Sequence, residues 1–480
     1  MASLLRSVFS IFSGRFTTTL IGAVFTPILV RLLSQQEYGL FAGIMAGVTI
    51  YATISKGGLF DATRKTVAQY DENNVLGAVT GSFTLSILYG IMASALIIIS
   101  LLIGIIPDIY IDYIPVLILS IISGNLFSVS KGYFYGRQKE HIGELLNVLR
   151  IGTYSVSAII LAVLGFGLMG VFAGYTLSFI VSCVVGILLL ISYRRESLRS
   201  TRPSLEDIST ISTYGGYQLI GGLSALLLYK TDILLVQFFR GQGATALYQS
   251  AIIPAEMIWV VPAAIQAAFL QSAASDWAAD NIKSINNSIK AGTKYCILSL
   301  SLFGFGLFTL SPSFVTLYFG PEYADSATAL QILILGTFVM GITRPINAVL
   351  QATGWVRHTE IAAAIILGSN IIFNLLLIPR YGIMGAAVGT SLSYIFMFVV
   401  KIYLWRISTF DVLSGWWWSR IFSVQLAYFM TFYFIVSSVS LSPALSIAVF
   451  PPVGLAIFMI FNISAGYIPL SQVRSLVARR

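Results

Sequence analysis

The chain has 480 residues, of which 57% are hydrophobic, 13% aromatic and only 10% charged. A soluble globular chain carries about a quarter Asp, Glu, Lys and Arg, so that class is excluded; so are low-complexity disorder and the short alternating segments of an outer-membrane barrel. The positive-inside bias of membrane proteins accounts for the net charge of +9, with no nucleic-acid partner implied.

At about 20 residues per spanning helix, this much apolar sequence furnishes on the order of a dozen crossings. The expected fold is therefore an all-α polytopic membrane protein. Polar and Gly/Pro-marked breaks predict fourteen spans, at 7–32, 38–57, 77–105, 111–135, 144–165, 168–192, 210–237, 244–270, 289–317, 326–350, 359–378, 383–404, 421–440 and 445–468. Met1 to Arg6 lead into a span punctuated by Ser10, Ser13, Arg15 and Thr17 to Thr19, which is not the pattern of a cleavable signal.

In chain order, Arg15 lies inside the first span and Lys131 about a turn from the inner end of the fourth. The longest internal connection, 193–209, has a basic half suited to anionic headgroups, and Ser204 to Asp207 reads as a helix-capping start. Lys230 and Asp232 lie deep in the seventh span, and Glu256 lies in the eighth. Arg344 stands mid-span in the tenth, directly before Pro345, where a broken helix exposes backbone to a cavity. Trp405 and Trp416 to Trp418 fall near the inner boundary and read as interfacial anchors.

The connections set an orientation. One alternate set holds Arg64, Lys65, Arg137, Lys139, Arg194, Arg195, Lys283, Lys290, Lys294, Arg357, Arg406 and Arg420, among others; the opposite set holds only Arg31, Arg240 and Arg380. The basic side is expected in the cytoplasm, with both termini there and the plasma membrane as location. The outer connections 106–110, 166–167, 379–382 and 441–444 leave no room for a folded external domain.

The two halves repeat each other. GLMGVFAGYTLSF (167–179) and GIMGAAVGTSLSY (382–394) share Gly, Met, Gly, Gly, Leu and Ser at a constant offset of 382 − 167 = 215 residues. Small-xxx-small patterns pack membrane helices closely wherever they occur, but packing alone predicts no shared order. Each repeat holds six spans, so both copies insert with the same orientation. The expected domains are an N-terminal six-helix lobe over 1–200, a C-terminal one over 201–410, and two additional helices with a tail over 411–480.

Three segments carry a family resemblance. LVRLLSQQEYGLFA (29–42) resembles the hallmark after the first helix of the polysaccharide-export flippases. GLFDATRKTVAQY (58–70) resembles the segment closing their second helix, and TDILLVQFFRGQGATALYQSAIIPAEM (231–257) resembles their seventh-to-eighth junction. The ordered set resembles an oligosaccharide-lipid flippase of the multidrug/oligosaccharidyl-lipid/polysaccharide exporter superfamily. That resemblance implies two six-helix lobes in a V around a central cavity, open alternately to each side. It implies a polyprenyl-linked oligosaccharide, usually a diphosphate, moved from the cytoplasmic to the outer leaflet for surface polysaccharide or glycoprotein glycan assembly. Membrane lipids, a coupling ion (proton or sodium), and glycosyltransferases or a polymerase of the same pathway are the implied partners.

Ionisable groups inside spans are costly and mark function by default. Arg15, Arg344, Lys230 and Lys131 are the candidate substrate-binding residues, as fixed cations for phosphate. Each also has a structural reading: Arg15 snorkelling, Arg344 tying two helices, Lys131 reaching the inner interface. Asp232, and after it Glu256, would either hold a coupling ion or neutralise a neighbouring cation. Asn125, Asn347, Gln218 and Gln266 suit sugar hydroxyls, or serve as glue between helices. Cys183, Cys296, His141 and His358 are too few for a metal site, and no cofactor is implied. A cation-coupled multidrug exporter is the alternative; its kind uses embedded acids, and the first span here has none. A membrane glycosyltransferase or polymerase is disfavoured by the lack of sizeable outer loops bearing acids, so no enzymatic activity is expected.

Overall fold

A computed structural model describes residues 2–70, 75–193, 204–408, 410 and 417–469. The basic residues of 194–203, the tail from 470 and Trp416 lie outside the described residues. Among the described residues every long element is a helix and there is no strand, as lipid requires of a chain that must satisfy its own backbone. Eleven segments are long and apolar enough to cross a membrane. The protein is a multi-pass, all-α membrane protein.

The chain divides into two compact units, residues 1–234 and 235–480. The first begins with α1 (Ala2–Leu32), α2 (Gln35–Lys56), α3 (Leu59–Gln69) and α4 (Val75–Leu102). It continues with α5 (Ile114–Gly136), α6 (Glu140–Leu161), α7 (Gly167–Tyr193) and the start of α8 (Leu205–Met257). The second takes the rest of α8, then α9 (Val260–Ala278), α10 (Ile282–Leu300), α11 (Gly306–Tyr318) and α12 (Ser326–Ile342). It ends with α13 (Arg344–Ala352), α14 (Val356–Ile407), α15 (Trp417–Ser438) and α16 (Pro443–Ser464).

Three helical segments are far longer than a bilayer needs: Glu140–Tyr193, Leu205–Met257 and Val356–Ile407, of 54, 53 and 52 residues. At about 1.5 Å per residue each would extend roughly 80 Å, against a hydrocarbon core of about 30 Å. Each is broken by left-handed glycine: Gly165 and Gly167 in the first, Gly241 in the second, Gly382 in the third. The breaks fall where the sequence separates its spans. In the first and third the chain folds back on itself. A Cβ on Gly174 would lie 2.6 Å from Ala158 N, and one on Gly389 would lie 3.0 Å from Asn374 Oδ1. These glycines belong to the repeated GLMG/GIMG segments, and in both copies the absent side chain lets the returning helix touch its predecessor.

Short-range hydrogen bonds cap and join the helices. Ser34 and Glu37 form a reciprocal capping box at the start of α2. Ser204 Oγ accepts from Asp207 N at 3.0 Å while Asp207 Oδ2 accepts from Ser204 N at 3.2 Å, capping α8 in the same way. Asn125 Nδ2 donates to Ser55 Oγ at 2.9 Å and to Ser55 O at 3.2 Å, so this buried amide is glue between α5 and α2.

Two features depart from the sequence reading. Residues 59–69 form a separate amphipathic helix, α3, entered through the left-handed pair Gly57 and Gly58. It packs on α5, where a Cβ on Gly132 would meet Phe60 O at 2.7 Å and one on Gly136 would meet Arg64 O at 2.6 Å. Trp405 is not an interfacial anchor. It is 1% exposed and stacks on Phe410 at 5.3 Å, because its helix turns that face into unit 2.

Candidate functional site: two clusters of embedded cations

In the first unit, α1, α2, α5 and α6 bring basic side chains into one neighbourhood. Lys131 Nζ on α5 lies 3.3 Å from Glu144 Oε1 on α6. The hydroxyl of Tyr135, one turn after Lys131, donates to the same carboxylate oxygen. Glu144 is 4% exposed and its Oε2 has no hydrogen-bond partner among the described residues. Arg15 and Arg150 are close enough to Lys131 to interact with its charge. Arg150, further along α6, donates to Asn147 Oδ1 at 3.3 Å and holds its guanidinium 4.9 Å from the Phe179 ring. Lys56, the last residue of α2, stands 5.9 Å from that ring and also feels the charges of Arg150 and Lys131. Four cations thus share one neighbourhood, with Arg15 exposed on α1, and only Lys131 is paired with the acid Glu144. Such an arrangement is electrostatically unsatisfied and attracts an anion.

The second unit has a smaller cluster. The chain breaks between α12 and α13, and Arg344 opens the new helix with Pro345 behind it. Its guanidinium lies 4.8 Å from the Trp259 ring and donates from Nη1 to Gln266 Oε1 at 3.1 Å. Its Nε is buried without a hydrogen-bond partner among the described residues. Trp259 is itself fixed by donating from Nε1 to Thr337 O at 2.7 Å. Lys401 on α14 is 8% exposed and close enough to interact with the Arg344 charge. Arg344, held by an aromatic ring and an amide with one donor unused, and Lys401 near it again suit an anionic ligand.

The family model described as "Polysaccharide biosynthesis protein" matches residues 4–274, more than half of the 480-residue chain. The chain belongs to that family. Among curated relatives, "Probable flippase AglR" of Haloferax volcanii is 24% identical over 402 residues, covering 82% of this chain and 81% of that protein. "Probable low-salt glycan biosynthesis flippase Agl15" of the same organism is 26% identical over 229 residues, covering 45% and 46%. A membrane protein of Methanocaldococcus jannaschii, MJ1068, is 26% identical over 197 residues, covering 41% of this chain and 39% of its own length. The chain therefore spans less than half the length of two of these three relatives. In fold, it is similar to the lipid II flippase MurJ in an inward closed conformation, with TM-score 0.76 and 17% identity over 94% of this chain and 98% of that one. It is also similar to an inward-facing multidrug resistance MATE transporter of the MOP superfamily, with TM-score 0.71 and 19% identity over 83% and 96%.

Within this member of the family, the candidate residues separate by surroundings. Arg15 and Lys131 share the unit 1 cluster, and Arg344 anchors the unit 2 cluster. Lys230 is half-buried on α8. Asp232 is 1% exposed and accepts from Ile233 N at 2.8 Å. Glu256 is half-buried near the end of α8. Lys56, Glu144, Arg150 and Lys401 escaped the sequence reading. For Glu144 and Arg150 the signal was present, since both lie inside the predicted span 144–165. Lys56 and Lys401 sit at the ends of predicted spans, where a basic residue reads as an inner-side flank.

Arg240, assigned by sequence to the sparsely basic side, has a structural task. It donates from Nε to Ile378 O at 3.1 Å and from Nη2 to Pro379 O at 2.7 Å, on the last turn before the Gly382 break.

Proposed function

We propose that this protein flips a polyprenyl-(di)phosphate-linked oligosaccharide from the cytoplasmic to the outer leaflet by alternating access. The observation that carries this reading is the sign of the charge: Arg15, Lys56, Lys131 and Arg150 in the neighbourhood of the buried acid Glu144, and Arg344 with Lys401. Sugars and phosphates cannot enter hydrocarbon unescorted, whereas the polyprenyl tail already prefers it. A flippase must therefore supply fixed positive charge and polar groups to the headgroup alone. The name of Agl15, a probable low-salt glycan biosynthesis flippase, supports the same substrate class, and AglR is likewise named a probable flippase.

The fold does not separate this reading from multidrug export, since a multidrug transporter shares it. The charge does: cationic drugs need embedded acids, and here embedded cations predominate. In our reading the eleven apolar segments make fourteen crossings, because each of the three overlong ones turns at its glycine and counts twice. Two lobes, 1–200 and 201–410, then carry the substrate path, and 411–480 adds a final pair. Both termini lie in the cytoplasm, the membrane is the plasma membrane, and Asp232 or Glu256 holds a coupling proton or sodium ion or neutralises a cation. Arg15, Lys131, Lys230 and Arg344 serve as phosphate contacts, and glycosyltransferases or a polymerase act before and after the flip.

The test is reconstitution of the purified protein into liposomes with a labelled polyprenyl-diphosphate oligosaccharide in the inner leaflet. Time-dependent exposure of the glycan to an added glycosidase is expected, with no change in the glycan itself. Exposure no faster than in empty liposomes overturns the reading, and glycosyl transfer by the protein would make it an enzyme instead.

A further inference from the structure

Glu144 is an unusual member of a site meant for anions. Its carboxylate is buried, ties one oxygen to Lys131 at 3.3 Å and to the Tyr135 hydroxyl, and leaves the other without a hydrogen bond among the described residues. A charged group so placed is expensive unless its partner compensates it. The site also makes room for it. On α1, a Cβ on Gly14 would lie 2.7 Å from both Glu144 Cβ and Oε2, so that position tolerates only hydrogen, one residue before Arg15. α7 brings no charged side chain to this neighbourhood, since Gly167–Tyr193 contains none.

We propose that Glu144 is a resident counter-ion which the phosphate of the cargo displaces. It holds Lys131 while the site is empty and yields it when the cargo binds. This rests on the proposed anionic cargo. The competition follows from chemistry: a carboxylate and a phosphate want the same ammonium. Glu144 has the advantage of being tethered. A diphosphate has more charge and also engages Arg15, Arg150 and Lys56. A transporter needs an exchange close to balance, because binding must favour entry without preventing exit. Four cations with no internal competitor would hold a diphosphate too firmly for release.

The experiment uses full-length protein in nanodiscs, with inorganic pyrophosphate as the probe and calorimetry as the readout. Glu144→Gln is expected to bind pyrophosphate at least about tenfold more tightly than the wild type, as removal of an adjacent like charge predicts. In the liposome assay the same variant should flip lipid-linked glycan more slowly, because release becomes limiting. Should Glu144→Gln not fold, Tyr135→Phe serves: without the hydroxyl, the carboxylate leans harder on Lys131, and pyrophosphate affinity should fall severalfold. Wild-type binding with unchanged or weaker affinity in Glu144→Gln overturns the counter-ion role and leaves the anionic cargo intact. No pyrophosphate binding by wild type or variant overturns the anionic cargo and the counter-ion together.

Discussion

Gly167 and Gly382 turn the backbone in the same way, with φ/ψ of 50°/−136° and 58°/−132°, at positions 382 − 167 = 215 residues apart. The offset is that of the sequence repeat. One local geometry thus serves both halves: a left-handed glycine reverses the chain, and the glycines that follow press the returning helix onto its predecessor.

Alanine at either position should be costly for the same reason. A left-handed backbone costs an L-residue roughly 1–2 kcal/mol. Gly167→Ala and Gly382→Ala are expected to lower the melting temperature of the detergent-solubilised protein by similar amounts. Gly385→Ala should lower it further, because its Cβ would strike the backbone carbonyl of Leu377, which cannot rotate away. Equal stability of Gly385→Ala and wild type would show that the hairpin does not depend on this contact.

Arg15→Ala and Arg344→Ala are expected to abolish glycan export while leaving membrane levels of the protein near normal. Each removes a fixed cation from a different cluster, and a lost charge-assisted contact to phosphate is worth about 1.5–3 kcal/mol. Export assays paired with quantitative blots of the membrane fraction decide it. Normal export by either variant removes that residue from the phosphate path; disappearance of the protein makes it structural.

Charge and shape separate at Arg344. A guanidinium presents a planar fork to phosphate oxygens, and lysine keeps its charge without the fork. Arg344→Lys should retain partial export, and Arg344→Gln less. Equal or greater export by Arg344→Gln is expected if the residue serves only to join helices through its hydrogen bond to Gln266, since glutamine can still donate to an amide. Activities must be normalised to folded protein, because a neutral residue also inserts more readily.

Topology is open to direct test. Single cysteines introduced into a Cys183→Ser/Cys296→Ser background should be labelled by an impermeant maleimide from outside intact cells at 441–444, and only after permeabilisation at 193–209. Reversed accessibility would invert the proposed orientation. Both native cysteines are buried, which suits that background.

Much of the fold was legible because membrane helices announce themselves by length and hydropathy, and because breaks fall at glycine and proline. The cap at Ser204 and the repeat around Gly167 and Gly382 followed from short-range chemistry of that kind. α3 was missed for the converse reason: eleven amphipathic residues between spans look like a polar loop until α5 offers Gly132 and Gly136 to pack against. The cation clusters were half legible. Arg15, Lys131 and Arg344 stood out as isolated charges in apolar sequence. Glu144 and Arg150 sit beside the polar beginning of α6, where single charges blend into the flank. Only the packing of α1, α2, α5 and α6 shows that they converge. Trp405 misled because amphipathic rings are expected at the interface, while tertiary packing claimed this one.

The close approach of Gly57 and Gly58 to Gly215 bears on how the first unit moves. A Cβ on Gly58 would collide with the Gly215 carbonyl, and one on Gly215 with the carbonyl of Gly57, so main chain rests on main chain there. Helices that interlock through side chains must lift ridges out of grooves before they can slide. Here both kinds of contact are present: Ile211 is fully buried against Leu59, Ala62, Leu85 and Val129 beside the backbone contact, and Tyr89, hydrogen-bonded to Ser212 at 2.8 Å, is a catch next to it. A single methyl group at Gly215 would drive a wedge between the start of α8 and the α2–α3 joint.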